Sequence, residues 1–269
     1  MIKIISFKGG LGNQIFEYFF YQYLRNNTNQ KIYGFYNSDW LKDHNGLEIQ
    51  KVFDISLPKA SNLSNFTVFI IRLINKFNPQ NSFTSNDGRL KLSSIYFDGW
   101  WQNKLFYEDL NQSIEFKKND LSPVNSQILN NILISNSVSL HIRRGDYLEK
   151  KYVGKYGNVC TVSYYKKAIE LIKDCFDNPV FFVFSDDIEW VKNNFILENK
   201  VFVTENYGEN SFLDMYLMTF CKANIIANSS FSYWGALLNK SNNKVIYPKK
   251  WYNSNDVVPN IFKSCWIGI

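Results

Sequence analysis

A chain of 269 residues that is 45% hydrophobic and 17% aromatic, with 13 Gly and 6 Pro, can bury the core of one large domain or two modest ones. That composition excludes a disordered, collagen-like or elastic polymer. Its 30 Lys and Arg against 24 Asp and Glu leave +6, a balance that suits an anionic ligand or an acidic surface without specifying either.

Taken from the N-terminus, residues 2–7 read as a buried first strand, too short an apolar run for a signal peptide. Lys8-Gly9-Gly10-Leu11-Gly12 then makes a Gly-rich turn into a helix from Asn13 to about Arg25, with Ile15, Phe19 and Leu24 among its apolar residues. A strand follows at 32–36. The spacing of apolar residues 66, 69, 70, 73, 74 and 77 predicts a helix over 66–77, and a strand lies near 94–97. The Asn/Ser stretches at 61–65 and 78–88 read as loops, and 119–136, with Pro123, as a crossover containing a helix. From 137 the pattern becomes regular, with strands at 138–143, 180–184, 201–203, 224–227 and 244–247. Helices at 163–176, 188–195, 211–221 and 231–239 alternate with them. Short apolar strands alternating with helices mark a parallel sheet covered on both faces, the doubly wound arrangement. The expected division is a first α/β domain over 1–135, a second over 136–246, and a tail over 247–269 that packs back on the domains. The longest apolar runs fall well short of the roughly 18 residues of a spanning helix. The four cysteines, Cys160, Cys175, Cys221 and Cys265, form no C-x-x-C pair, so reduced thiols in a cytoplasmic chain are expected rather than a zinc or disulfide scaffold.

Four places carry chemistry. His141-Ile142-Arg143-Arg144-Gly145-Asp146-Tyr147 follows the strand at 138–143. Alternation sends Val138, Leu140 and Ile142 one way and His141 and Arg143 the other, at the carboxyl end of a strand, where open α/β sheets bind ligands. Adjacent guanidinium groups there match phosphate oxygens; the plainer alternative is an ion pair between one arginine and Asp146. The Gly-rich turn at 8–12 allows backbone N–H groups to approach a ligand at a helix N-terminus, although it matches neither the dinucleotide nor the Walker fingerprint. Asp186 and Asp187 end the next strand, Asp186 placed to accept from a guanine edge or ribose and Asp187 to cap the following helix. Asn228-Ser229-Ser230-Phe231-Ser232 opens another helix, either a phosphate cradle or a simple serine cap. The basic residues are scattered rather than clustered with aromatics on one element, so nucleic-acid binding is not expected. No Asp-x-Asp or other metal-ligand spacing accompanies these residues, so a metal-independent site is expected.

Together, Gly9-Gly10-Leu11-Gly12-Asn13-Gln14, His-x-Arg-Arg-x-Asp at 141–146, Phe184-Ser185-Asp186-Asp187 and Ser230-Phe231-Ser232-Tyr233-Trp234-Gly235 resemble the α-1,2-fucosyltransferases of glycosyltransferase family 11. The α-1,6 and protein O-fucosyltransferases are more distantly similar. The resemblance implies a GT-B fold, with two Rossmann-like domains facing a cleft and the donor site mainly in the C-terminal one. It also implies GDP-fucose as donor, a galactose-containing acceptor used at its 2-hydroxyl in surface-polysaccharide or O-antigen synthesis, inversion at the anomeric carbon, and neither cofactor nor metal. Position by position, it implies that Arg143 contacts the donor pyrophosphate and that His141 and Asp186 hold the nucleoside, and Arg144 beside them is expected to bind substrate. Ser229, Ser230, Phe231 and Ser232 form the phosphate and ribose cradle, Gly10 and Gly12 shape the turn, and Asn13 is the active-site asparagine. Asp146 and Glu149 lie close to the arginine loop, and Asp146 is the first choice for the base that deprotonates the acceptor, with orientation of Arg143 or Arg144 as its other role. A positive surface with exposed aromatics allows peripheral membrane contact. The competing expectations are a GT-B transferase of another nucleotide sugar and a non-catalytic sugar-nucleotide-binding protein.

Overall fold

A computed structural model of the chain describes residues 2–108, 114–118, 120–241, 243–253 and 258–269. Two compact units, Met1–Lys117 and Lys118–Ile269, divide it. Residue 119 of the expected crossover and residues 254–257 of the expected tail lie outside the described residues.

The first unit runs β1 (Lys3–Phe7), α1 (Leu11–Asn27), β2 (Ile32–Tyr36), the short α2 (Ser38–Leu41) and α3 (Ile49–Val52), α4 (Asn62–Phe77), β3 (Thr84–Ser85) and β4 (Tyr96–Phe97). Its four strands lie in the order β2-β1-β4-β3, all parallel. Strand β1 is buried along its whole length, as a central parallel strand must be. Even its Lys3 is enclosed, the Nζ donating to the carbonyls of Leu92 and Ser94. The aromatic residues of α1 fill the adjoining core, Phe20 lying 3.7 Å from Trp101, ring to ring, in a stacked pair.

Two expectations for this unit are corrected. The stretch 61–65 is not a loop: Ser61 caps α4, its hydroxyl accepting from the Ser64 N–H while the Ser64 hydroxyl accepts from the Ser61 N–H, both at 3.0 Å. This reciprocal box satisfies two donors that a helix start otherwise leaves open. Within 78–88, β3 adds a short edge strand, pinned by the Ser85 hydroxyl, which donates to the Lys91 carbonyl at 3.0 Å. The apolar periodicity of α4 is real, yet the helix buries Ser64, Val68 and Ile71 instead, and most of that stripe faces solvent.

The second unit runs α5 (Pro123–Ile134), β5 (Ser137–Ile142), α6 (Val162–Lys173), β6 (Val180–Ser185), α7 (Ile188–Asn194), β7 (Lys200–Val203), α8 (Phe212–Met218), β8 (Ala223–Ile225), α9 (Ser230–Leu237), β9 (Lys244–Tyr247) and β10 (Ile267–Gly268). The six parallel strands lie in the order β7-β6-β5-β8-β9-β10. Numbered from β5 this is 3-2-1-4-5-6, the doubly wound dinucleotide order, whose direction reverses between β5 and β8. Alternating side chains feed two cores. Val138, Leu140, Ile142, Phe181 and Val183 pack with Ala168, Ile169 and Ile172 of α6 on one face. Phe182 and Phe184 pack with Ile128 and Ile132 of α5 and Leu217 and Met218 of α8 on the other.

That second core explains why the units divide at 117/118, upstream of 135/136: α5 covers the second sheet and belongs with it. The chain beyond 246 likewise joins this unit. The Lys249 N–H donates to the Ile269 carbonyl and the Ile269 N–H to that of Tyr247, so β10 closes the sheet. Among the described residues no helix is long and apolar enough to cross a membrane.

Candidate active site

The carboxyl ends of β5, β6 and β8 gather every residue singled out in the second unit. Beyond β5, Arg143 and Arg144 leave the sheet and meet the two carboxylates that end β6. The Nε of Arg143 lies 2.9 Å from Asp146 and one of its terminal nitrogens 3.2 Å from Asp186. Arg144 donates its backbone N–H to Asp186 at 2.8 Å and pairs through Nε with Asp187 at 3.1 Å, while its guanidinium stacks 3.8 Å above the Trp190 ring. Burial opposes the charge on Arg143, but Asp186 and Asp146 outweigh it and hold the guanidinium more firmly protonated than usual. Gly145 is required by contact: a Cβ there would stand 2.9 Å from Asp186. Asp187 also caps α7, accepting from the Trp190 N–H at 3.1 Å.

His141 sits at the switch point between β5 and β8. It is buried, its ring 5.9 Å from that of Phe231 at the start of α9, and its Nδ1 has no hydrogen-bond partner among the described residues. Burial, reinforced by the Arg143 charge, lowers its pKa to about 3, so the imidazole is neutral at physiological pH. A buried polar atom without a partner is costly, and here it lies where doubly wound sheets bind their ligands.

At the start of α9, the Ser229 hydroxyl accepts from the Phe231 N–H at 3.3 Å and the buried Ser232 hydroxyl donates to the Ser229 carbonyl at 3.4 Å. Both hydroxyls therefore shape the helix start, and Ser230 and Phe231 are half-buried beside it. Tyr147, the last residue of the arginine motif and one to which the sequence assigns no role, ties the arginine loop to this element: its hydroxyl donates to the Asn228 carbonyl at 3.0 Å and its ring stacks on Tyr156. Asn228 in turn donates to the carbonyls of Tyr156 and Trp251.

Gly10, Gly12 and Asn13 lie in the first unit, at the carboxyl end of β1. Gly9 takes φ +71°, and a Cβ on it would press on Asn13 and Trp100 at 3.0 Å. Gly10 caps α1 and Gly12 is buried in its first turn. Gln14 latches the turn, donating to the carbonyls of Gly9 and Gly46 and accepting from the N–H groups of Glu48 and Ile49. Asn13 accepts from Gln102 at 3.1 Å. Gln102 belongs to a segment after β4, Asp98 to Gln102, that the sequence reading passed over. Asp98 pairs with Lys8 at 2.7 Å, Trp100 stands edge-on to Trp40, and Trp101 is buried with φ +54°, its N–H held by Asp87. Backbone strain in so bulky a residue gathers where geometry serves a site. Its sequence signal is Asp-Gly-Trp-Trp after a strand, visible only once β4 is known to lie beside β1. Among the described residues no cluster of three or more His, Cys, Asp or Glu is placed to hold a metal ion.

Comparison with known proteins agrees with this architecture. The chain is 34% identical over 299 residues to an alpha-1,2-colitosyltransferase of Escherichia coli, across 100% of this chain and 99% of that protein. It is 44% identical over 124 residues to the O-antigen biosynthesis glycosyltransferase WbnK of Escherichia coli, covering 45% of this chain and 41% of that one. Galactoside alpha-(1,2)-fucosyltransferase 1 of Ateles belzebuth is 30% identical over 106 residues, covering 38% of this chain and 28% of its own. Among solved structures, fucosyltransferase NodZ from Bradyrhizobium superposes with a TM-score of 0.52 at 12% identity, over 88% of this chain and 93% of its own. The likeness at that identity is one of fold, and it accords with the expected GT-B class of two parallel α/β units. Residues 73–269, which include the whole second unit, match the model of Glycosyl transferase family 11. With the match along the whole chain to the colitosyltransferase, this shows that the chain belongs to glycosyl transferase family 11.

Proposed function

We propose that the protein transfers a 6-deoxy sugar, fucose or its 3-deoxy counterpart colitose, from the GDP-linked donor to the 2-hydroxyl of a galactoside in O-antigen synthesis. The observation that carries this reading is the buried His141 Nδ1 at the switch point, without a hydrogen-bond partner among the described residues, with Arg143 and Arg144 leaving the end of the same strand. A neutral imidazole suits a nucleoside hydroxyl or amide, and guanidinium groups suit a diphosphate. The names of the relatives support both sugars: the match along the whole chain is to a colitosyltransferase, and the shorter match to fucosyltransferases.

In this reading the acceptor hydroxyl gives up its proton to a general base, its oxygen bonds to the anomeric carbon from the face opposite the diphosphate, the C–O bond to GDP breaks, and the configuration inverts. Charge grows on the departing diphosphate. Arg143 and the positive end of α9, whose Phe231 N–H is itself taken by the Ser229 hydroxyl, are preorganised to meet it, which is where most rate enhancement arises in such sites. Charge neutralisation by arginines supports a reaction that needs no metal. Asp146 and Asp186 hold Arg143 in place, and of its two expected roles the 2.9 Å pairing favours Asp146 as a positioning residue. Asn13, with the half-exposed Trp100 and Lys8–Asp98 nearby, supplies polar and stacking groups suited to the acceptor sugar.

The test is nucleotide release from GDP-fucose, GDP-colitose, GDP-mannose and UDP-galactose in EDTA, with and without lactose, with product mass read alongside. Release from a GDP-6-deoxyhexose, stimulated by the galactoside and undiminished by EDTA, is expected. Turnover of only UDP-galactose or GDP-mannose overturns the donor assignment, and nucleotide binding without turnover of any donor would make this a non-catalytic binding protein.

A further inference from the structure

Helix α4 is built the wrong way round for a helix that only covers a sheet. Leu63, Phe66, Ile70, Leu73 and Phe77 recur at spacings of three and four, one stripe of a 3.6-residue period, and it is this stripe that faces solvent. Leu63 is 64% exposed, Phe66 62%, Phe77 90%, and the neighbouring Phe69 57%. The inner face is narrow, with Ser64, Val68 and Ile71 buried and Val68 and Ile71 packing against Ile4 and Tyr96. Soluble proteins seldom leave a contiguous patch of large apolar side chains open unless something covers it.

We propose that α4 is an interfacial helix that seats the first unit on an anionic lipid surface. The charge of the stretch of chain that carries the stripe selects this occupant. Helix α4 contains Arg72 and Lys76 and no acidic residue. Over residues 59–91 the basic residues are Lys59, Arg72, Lys76, Arg89 and Lys91 and the acidic one is Asp87, five minus one, or +4 of the chain's +6. Lys59, Lys76 and Lys91 are exposed. Arg72 is turned inward, stacked on Phe35 and donating to the Tyr96 hydroxyl, so the lysines carry the outward charge. A second copy of this chain fits less well: a two-fold contact lays a patch on itself, setting these lysines against their own counterparts. An anionic bilayer satisfies both halves, the apolar stripe entering the headgroup boundary and the lysines meeting lipid phosphates. At 16 residues the helix is about 24 Å long, long enough to lie along the interface. This inference stands on the surface of the first unit and is independent of the donor assignment.

Vesicle flotation of the full chain tests it, using equal parts phosphatidylglycerol and phosphatidylcholine against phosphatidylcholine alone, at low and high salt. The expected result is partition onto the anionic vesicles that falls with salt. Phe66→Ser/Ile70→Ser/Phe77→Ser and, separately, Lys59→Glu/Lys76→Glu/Lys91→Glu each lower that partition by at least about tenfold. The substituted side chains are outside the core, and the charge variant leaves the apolar stripe intact, so loss in both is not a folding effect. Absence of wild-type binding to anionic vesicles at low salt overturns the proposal, as does binding unchanged in the serine variant. So does a wild-type dimer that the serine variant converts to monomer without any vesicle binding, which would make the stripe a contact between copies.

Discussion

Arg143 shows how one side chain is prepared for an anion. Two carboxylates fix its guanidinium, and the desolvation that would weaken the charge is overcome by them. Arg143→Ala should lower kcat by about 10² to 10³, the cost of losing one preorganised donor. Asp146→Asn separates the two roles of that residue. As a positioning group its loss should raise the donor KM and lower kcat in a ratio resembling a mild Arg143 variant, with the shape of the pH–rate profile retained; loss of a limb of that profile would make Asp146 the base. His141 gives a third prediction at this scale. Its folded pKa of about 3 lies below its ordinary 6.5, so between those values the unfolded chain binds the extra proton and stability falls as pH drops. From pH 7 to pH 5 the wild type should lose about 2 kcal/mol through this group. The loss should be absent in His141→Gln, as read from urea denaturation at the two pH values. Of these residues the sequence displayed the arginines and the histidine in one motif. It did not display that Asp186, 43 positions after Arg143, completes the arginine's cage, because a contact between two strand ends exists only once the strands are paired.

At the scale of elements, α4 carries the sharpest contrast between pattern and placement. Its period is legible in the sequence, but which side of a helix meets the sheet depends on what the sheet offers. Beside β1 and β4 the space admits Val68 and Ile71 and leaves the phenylalanines outside. The helix start was hidden for a different reason: Ser61 and Ser64 sit in a run of Asn and Ser that reads as a loop until the reciprocal cap is seen. Ser61→Ala should cost about 1 kcal/mol, the usual worth of a helix cap, measured as a shift of the denaturation midpoint with the slope unchanged. The second sheet was far more legible, since β5, β6 and β8 are short apolar runs ending in polar motifs, and parallel strands buried on both faces have that appearance.

For the whole molecule the division into units is the instructive feature. The sequence pattern places a boundary at 135/136, where regular alternation of strand and helix begins, whereas the packing places it before α5, whose Ile128 and Ile132 lie in the core of the second sheet. The C-terminal chain is likewise structural. Trp266 is buried with its ring 5.4 Å from that of Tyr233, and the Tyr233 hydroxyl donates to the Ile261 carbonyl at 2.7 Å. Trp266→Ala should therefore cost about 3–5 kcal/mol, read as a lower Tm of the full chain, far more than an exposed tail residue would.

The sequence by itself determined the alternation of strands and helices, the buried parallel sheet of the second unit, and the motifs at 141–146, 184–187 and 228–235. These are local consequences of side-chain period and turn chemistry, carried by residues close together in the chain. Only the tertiary structure decided that those motifs converge at one switch point, that His141 is neutral there with its Nδ1 unpaired among the described residues, that Asp98 to Gln102 stands beside the Gly-rich turn, and that the apolar stripe of α4 faces outward. Each of these depends on strand order and on which surfaces remain to be covered, and burial and pairing between distant segments settle both only when the chain is folded.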